Sequence, residues 1–183
     1  TLLLVVTSDR GLCGAFNSNI LKTADRLWRE KEANGVEVSI ATIGRKGRDY
    51  YRRRNAPLYH VFSGIWEKLD IETARVVSRV AVRPFLAGGV VGIYLVYNEF
   101  KGAMSQRVVA EPLFPLEAPP AEPDAGEREG EQRPQFLFQP DKQRLLELLV
   151  PMYLEVMIAR ALLESLASQL GAQMTAMDAA TNN

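Results

Sequence analysis

The sequence predicts an α/β fold, in which an open, mostly parallel, Rossmann-like sheet is flanked by helices and followed by one long C-terminal helix. Short apolar runs alternate with segments of helical periodicity, which is the pattern of βαβ units with parallel strands. From residue 141 onward, apolar residues follow a heptad repeat instead. We therefore expect residues 1–140 to form the α/β domain and residues 141–183 to form the helix.

The first βαβ unit is predicted at the start of the chain. Leu2–Val6 is a continuous apolar run and is predicted as a buried strand. The turn Thr7–Gly14 follows, and then apolar residues recur at spacings of three and four, as in an amphipathic helix. Gly35 is expected to end this helix. Val36–Ile43 then alternates like a second strand.

The later elements follow the same logic. The basic segment Gly44–Arg54 is predicted to be a short helix, and Asp70–Leu86 a longer one that ends before a pair of glycines. Three further segments are predicted as strands, of which the second is apolar throughout and therefore central: Leu58–Phe62, Val90–Tyr97 and Gln106–Phe114.

The segment Glu117–Pro134 has a different composition from its surroundings. It is rich in Pro, Glu, Gly and Ala and contains no aromatic residue. Such a segment buries too little apolar surface to offset its ordering entropy, so we predict a mobile loop, most simply a solvated insertion without function. Phe136–Phe138 is predicted as a last short strand.

The C-terminal helix carries two apolar patterns. One is a seam of residues spaced alternately by fours and threes, formed by Leu145, Leu149, Met152, Val156, Ala159, Leu163, Leu166, Leu170 and Met177. The other includes Leu148, Tyr153, Met157 and Leu162 and fades after Ala167. We therefore expect the first half of the helix to be buried on the sheet domain and the second half to need one helical partner.

The length of this helix supports a projecting arrangement. About forty residues at ~1.5 Å per residue give a helix of ~60 Å, whereas a domain of this size is under ~40 Å across. Pro151 is expected to kink the helix or to restart it. No second long heptad helix is present, so the partner of the seam is expected from outside this sequence.

Composition excludes several classes of protein. Lys plus Arg and Asp plus Glu number 22 each, so the net charge is zero, which argues against a dedicated nucleic-acid binder. One Cys and one His exclude a disulfide framework, a Cys-based zinc site and a multi-His metal site. No apolar run is long enough to cross a membrane. The chain begins inside an apolar run without Met, so we expect a piece of a longer protein.

Two alternatives remain for the function at this point. Thr7–Gly14 follows a strand, where α/β sheets place their ligands, and a small enzyme or nucleotide binder would use this turn. However, its glycines are spaced G-x-x-G, and neither a Rossmann nor a P-loop fingerprint is present. Alternatively, the chain is an adaptor whose long helix docks into a partner. The basic segment Gly44–Arg54 is either a solvated face or a contact for phosphate, protein or lipid headgroups.

Several segments, in order along the chain, resemble the gamma subunit of F-type ATP synthases. Ser8–Asn17 (SDRGLCGAFN) resembles the signature turn of that family. Further matches are Gly44–Tyr51 (GRKGRDYY), Asn98–Gln106 (NEFKGAMSQ), Ala161–Ser168 (ALLESLAS) and Met174–Asn182 (MTAMDAATN). The family's N-terminal helix and the end of its C-terminal helix are absent from this sequence, which accounts for the unpartnered seam.

The resemblance implies a non-catalytic rotor subunit without a cofactor. Its shaft would turn inside the alpha/beta catalytic hexamer, and its α/β domain would stand on the membrane c-ring beside the epsilon subunit. Arg10, Gly11, Leu12 and Cys13 would contact the acidic lever loop of the beta subunit. The foot contact would include Phe138, Gln139 and Asp141, and the shaft seam Val156, Leu163, Leu166, Leu170 and Met177. The complex would lie peripherally on the cytoplasmic face of a bacterial plasma membrane, or alternatively on an organellar inner or thylakoid membrane.

Overall fold

The computed structural model describes residues 1–102, 105–115 and 142–182. The strands are β1 (Leu2–Val6), β2 (Ser39–Ile43), β3 (Leu58–Phe62), β4 (Ile93–Gly102) and β5 (Ser105–Phe114). The helices are α1 (Phe16–Ala33), α2 (Arg45–Arg52), α3 (Ile71–Leu86) and α4 (Lys142–Thr181), with a short 3-10 turn at Ile65–Glu67.

The five strands form one sheet in the order β3-β2-β1-β4-β5. β1 lies in the middle and pairs in parallel with β2 and β4, β2 pairs in parallel with β3, and β5 is antiparallel to β4. The predicted open, mostly parallel sheet is thereby confirmed. β2 begins at Ser39 rather than Val36, because the Val36 amide still bonds the end of α1 and the Ser39 amide is the first to bond Thr1.

The side chains of β1 alternate between two separate hydrophobic cores. Leu2, Leu4 and Val6 point into the core formed with α3 and α4. Leu3 and Val5 point into the core formed with α1 and α2. All five are fully buried, and each contributes roughly 1.5–3 kcal/mol relative to an exposed side chain. The sheet therefore lies between two helical layers.

Helix α3 has a well-defined start and end. The Asp70 carboxylate accepts a hydrogen bond from the Thr73 amide at 2.8 Å, which satisfies one free donor of the first turn. Gly88 follows the helix with a φ of 72°, a conformation that glycine adopts without strain. The predicted helix Asp70–Leu86 is confirmed.

Helix α4 is a single α-helix from Lys142 to Thr181, with Pro151 inside it, so the restart considered for Pro151 does not occur. The burial predicted for its first half is wrong in part. Leu148 and Tyr153 are exposed, Val150 packs against the core while only partly buried, and full burial begins at Leu154. Met157 is half-buried, and Leu162 is fully buried, as expected.

The packed face of α4 also extends beyond Ala167, where the sequence predicted that contact with the sheet domain would fade. Ser168, Gln169 and Gly171 are all buried. Small and polar side chains form this part of the contact, because the helix lies close to the sheet there. The predicted loop Glu117–Pro134, the strand Phe136–Phe138 and the proposed boundary at residue 140 lie outside the described residues.

Candidate functional site

The turn after β1 is anchored by Thr7. The Thr7 amide and hydroxyl both donate to the Ile43 carbonyl at 2.8 Å, and the hydroxyl accepts from the Gly47 amide at 2.9 Å. The indole of Trp66 donates to the Thr7 carbonyl at 3.0 Å. A Cβ at Gly44, whose φ is 91°, would lie 2.2 Å from that carbonyl oxygen. The turn and the start of α2 are therefore in direct backbone contact.

A second set of hydrogen bonds holds the turn from beneath. The Ser8 amide donates to the Asn17 side-chain carbonyl at 3.0 Å, and the Asn17 amide group donates to the Cys13 sulfur at 3.2 Å. The Cys13 side chain is buried in the core with α1. Cys13 therefore shapes the turn from inside and presents little surface to a partner.

Arg10, Leu12 and Gly14 are the exposed residues of the turn Thr7–Gly14, and only the first two carry a side chain. Leu12 is 74% exposed and has a φ of 61°, an uncommon conformation for a residue other than glycine, and its side chain extends into solvent. Gly11 is half-buried beside Lys46, whose ammonium would lie 3.6 Å from a Cβ at that position. Of the four turn residues predicted as contacts, the structure thus presents a cation and an apolar side chain.

Helix α4 covers the crevice between β1 and β4, where doubly wound sheets bind their ligands. Ser168 donates to the carbonyl of Asn98, which lies just beyond the β1–β4 pairing. Ile158 and Leu162 belong to one core, whereas Ala172 packs against the other, so the helix crosses from one face of the sheet to the other.

Two features of the described residues bear on metal binding and on the single histidine. Within those ranges, no group of three or more His, Cys, Asp and Glu side chains is placed to hold a metal ion. His60 lies exposed on the edge strand β3, with its ring 4.5 Å from that of Phe62. These surroundings are those of a structural residue on the sheet edge.

The heptad seam lies on the side of α4 that faces away from the sheet. Val156, Leu163, Leu170 and Met177 are between 51% and 58% exposed, and Leu166 is half-buried. Leu163 is five residues from the fully buried Ile158, which places the two side chains roughly 140° apart around the helix axis. One face of α4 is therefore buried on the sheet domain, and the opposite face carries the exposed seam.

A groove connects the seam to the signature turn. Its volume is about 290 Å³, and its lining includes Asp9, Arg10, Arg45, Trp66 and Leu170. Sequence reasoning missed the contacts of Trp66, which lies outside every matched segment, and of Ser168, which ends the matched segment Ala161–Ser168 but received no role from it. Small side chains at spacings of three and four on α4 were the available signal for the buried face. The predicted foot residues Phe138, Gln139 and Asp141 lie outside the described residues.

Comparisons with known proteins agree with this geometry. A family model described as ATP synthase matches residues 1–183. The chain is 54% identical over 187 residues to the ATP synthase gamma chain of Sorangium cellulosum, covering 100% of this chain and 58% of that protein. It is 41% identical over 182 residues to the gamma chain of Geobacter metallireducens, covering 100% and 61%.

The chain belongs to the ATP synthase gamma chain family. It spans about three fifths of the length of these gamma chains. The central stalk and c-ring structure of the Tetrahymena thermophila mitochondrial ATP synthase contains a chain with the same fold. This match has a TM-score of 0.74 at 24% identity and covers 98% of this chain and 75% of that one. A rotor chain of Euglena gracilis gives 0.69 at 18% identity, covering 100% and 67%.

Among the described helices of this gamma chain, none combines the length and the hydropathy needed to cross a membrane.

Proposed function

We propose that this gamma chain is a non-catalytic rotor subunit of a rotary ATP synthase. It couples ion flow through a c-ring to ATP synthesis and hydrolysis in an alpha/beta hexamer. One observation carries the proposal: α4 docks on the sheet with one face and leaves a heptad seam exposed on the other. A helix with this second face fits one half of a two-stranded shaft.

The energetics of the seam favour a helical partner. Val156, Leu163, Leu170 and Met177 each keep about half of their surface in water. Full burial of a large apolar side chain is worth roughly 1.5–3 kcal/mol relative to exposure. A second helix packed along this seam buries several such side chains at once, and each burial adds to the stability of the helix pair. The N-terminal helix of full-length gamma chains is the partner that the family resemblance implies.

The signature turn supports a contact with an acidic partner. Arg10 is exposed and has the charge that the acidic lever loop of a beta subunit requires. Leu12 supplies an apolar side chain beside it. In this proposal Arg10 and Leu12 make the contact, whereas Gly11 and Cys13 hold the conformation of the turn.

The remaining partners follow from the family. We assign the foot contact with the c-ring and the epsilon subunit to Phe138, Gln139 and Asp141. The rotor would be part of a peripheral complex on the cytoplasmic face of a bacterial plasma membrane, an assignment supported by bacterial relatives. The covered crevice between β1 and β4 supports a role without nucleotide binding or catalysis in this subunit.

Rotation of the assembled complex tests the proposal. The full-length chain is co-expressed with the alpha and beta subunits of the same organism, and a bead is attached at a Ser63→Cys substitution, an exposed position of the foot. ATP should drive continuous rotation of the bead in one direction. ATP hydrolysis by a complex that contains the chain, with a bead that only diffuses, would contradict the rotor role.

A further inference from the structure

We propose that the outer edge of β3, with the groove beside it, is a docking surface for an extended segment of a partner protein, which adds to the sheet as a further strand. β3 is the last strand on one side of the sheet. Within the described part of the chain, β2 is the one strand that pairs with it. The surface uses residues of neither the shaft seam nor the signature turn, so the proposal goes beyond the rotor function.

The backbone of β3 presents hydrogen-bonding groups on its outer side. The Phe62 carbonyl accepts from the Gly44 amide at 3.1 Å, so the backbone groups of Phe62 point toward β2. Because successive residues of a strand direct these groups to opposite sides, the amide and carbonyl of Val61 point away from β2. Outward donors and acceptors of this kind are a template for pairing with another extended chain.

The sequence of β3 lacks the features that protect a free edge, which are charged side chains, proline and bulges. Leu58–Phe62 (LYHVF) contains no Lys, Arg, Asp, Glu or Pro. The register shift between Ile40 and Ala41 lies at the start of the strand, and the pairing is regular from His60 onward. Tyr59 is 40% exposed. An edge of this composition is prone to aggregate unless another chain covers it.

The opposite edge of the same sheet provides an internal comparison. β5 contains Arg107, Glu111 and Pro112. Pro112 has no amide to donate, and Arg107 is exposed and pairs with Glu99 of β4 at 3.1 Å. These residues are of the types that prevent pairing with a further strand. The two edges are therefore built differently, and β3 is the one suited to receive a strand.

A groove beside β3 fits the side chains of the added strand. It has a volume of about 440 Å³ and lies between β3 and α3, with His60, Phe62, Thr73 and Val76 in its lining. The His60 ring lies 4.5 Å from the Phe62 ring, and Val76 is 47% exposed. In strand addition, main-chain hydrogen bonds give affinity, and pockets that receive alternate side chains give specificity.

The charges around this groove indicate the chemistry of the partner. Lys68 pairs with Asp70 at 3.5 Å, and Glu72 pairs with Arg75. Because these charges already have partners in the chain, a charged segment would gain little attraction here. We therefore expect the partner segment to carry uncharged, apolar side chains at every second position.

Amide hydrogen exchange at two adjacent residues tests the proposal in the complete complex that contains the full-length chain. The outward amide of Val61 should exchange quickly in the 183-residue chain and at least about tenfold more slowly in the complex, where the added strand bonds it. The Phe62 amide lies on the β2 side, so it is the matched control and should be protected in both. Mass spectrometry with electron-transfer fragmentation resolves the two residues.

Photo-cross-linking locates the partner segment. With p-benzoylphenylalanine in place of Tyr59, the chain should link to another protein of the complex. Val61→Lys should lower the yield at least about fivefold, because a lysine on the edge opposes strand addition, whereas Val61→Thr should keep it within about twofold. The same probe in place of Arg107 on β5 is the control, and Val61→Lys should leave its products unchanged.

Four results would overturn the proposal. The first is equal exchange of the Val61 amide in the 183-residue chain and in the complex. The second is a cross-link from position 59 to its own chain, and the third is a link to a second copy of the chain. The fourth is a link to another protein that Val61→Lys does not weaken. None of these results alters the rotation of the bead, so failure of this proposal would leave the rotor function standing.

Discussion

At the scale of single residues, Gly44 is the position where the signature turn and α2 depend most on the absence of a side chain. Gly44→Ala should destabilise the chain by more than about 3 kcal/mol, since the new Cβ would lie 2.2 Å from the Thr7 carbonyl oxygen. Gly35→Ala is the control: its φ of 74° is also positive, but no atom lies within 4 Å. It should cost only about 1–2 kcal/mol. Urea unfolding measures the unfolding free energy of both variants. Equal losses for the two would contradict the role of the close contact between Gly44 and the Thr7 carbonyl.

Asn17 is the residue that protects the Cys13 thiol. Its amide group bonds both the Ser8 hydroxyl at 2.8 Å and the Cys13 sulfur at 3.2 Å. We expect the buried thiol to react slowly with an aromatic disulfide reagent, and Asn17→Ala to accelerate the reaction by at least about tenfold by loosening the turn, equivalent to roughly 1.4 kcal/mol of easier opening. Ser18→Ala, on the exposed side of α1, is the control and should leave the rate unchanged. Rapid modification of the unsubstituted chain would show that the turn is open.

The site could be predicted from the sequence only where its residues form a motif. The SDRGLCG segment located the turn, and Arg10 and Leu12 are exposed as a contact requires. Burial of Cys13 was not predictable, since it depends on Asn17 and Ser8 folding back over the thiol. The hydrogen bond from Trp66 to Thr7 joins residues 59 positions apart, and no local sequence pattern indicates it.

At the scale of elements, the start of α3 carries a pH-dependent contribution. Hydrogen bonds from Thr73 hold the pKa of the Asp70 carboxyl below its ordinary value. A lowered folded-state pKa means that the stabilisation is present above the unfolded pKa of about 3.9 and is lost as the pH falls through the folded value. Asp70→Ala should therefore destabilise the chain at pH 7 and have a smaller effect at pH 2. Asp70→Asn should keep the cap without this pH dependence. An Asp70→Ala effect of equal size at both pH values would contradict the assignment.

At the same scale, amide hydrogen exchange should distinguish the part of α4 that docks on the sheet from the part that does not. Burial runs from Leu154 to Gly171 and Ala172, so amide exchange should be slow through this stretch. From Met174 onward most side chains are exposed, and the last turns should exchange quickly in the 183-residue chain. Mass-spectrometric exchange on peptides from both stretches checks this. Strong protection between Met174 and Thr181 would mean that the end of the helix needs no partner.

The elements themselves were largely predictable, and α4 explains where prediction failed. Strands and helices followed from apolar runs and helical spacing, and the strand Leu58–Phe62 was located to the residue. Burial on α4 was misjudged because it was inferred from side-chain size. Leu148 is large but precedes the contact with the core, whereas Ser165 and Ser168 are small and polar but fully buried. Close approach of a helix to a sheet selects small residues, which resemble a solvated face in sequence.

At the scale of the whole molecule, α4 takes part in two structures at once. Its inner face, with Leu154, Ile158 and Leu162, completes the core of the foot domain. Its outer face, with Leu163 and Leu170, remains available to a second helix. A substitution on the inner face should therefore destabilise the chain with or without the second helix. A substitution on the outer face should do so only where the second helix covers the seam.

Unfolding free energies of Ile158→Ala and Leu163→Ala, measured in the 183-residue chain and in the full-length gamma chain, test this claim most directly. Ile158 is fully buried, so its truncation should cost about 2–5 kcal/mol in both chains. Leu163 is 58% exposed, so its truncation should change the stability of the 183-residue chain by no more than about 0.5 kcal/mol. In the full-length chain, where the partner helix covers the seam, Leu163→Ala should cost about 2 kcal/mol or more. The same small cost for Leu163→Ala in both chains would contradict a shaft built on this seam.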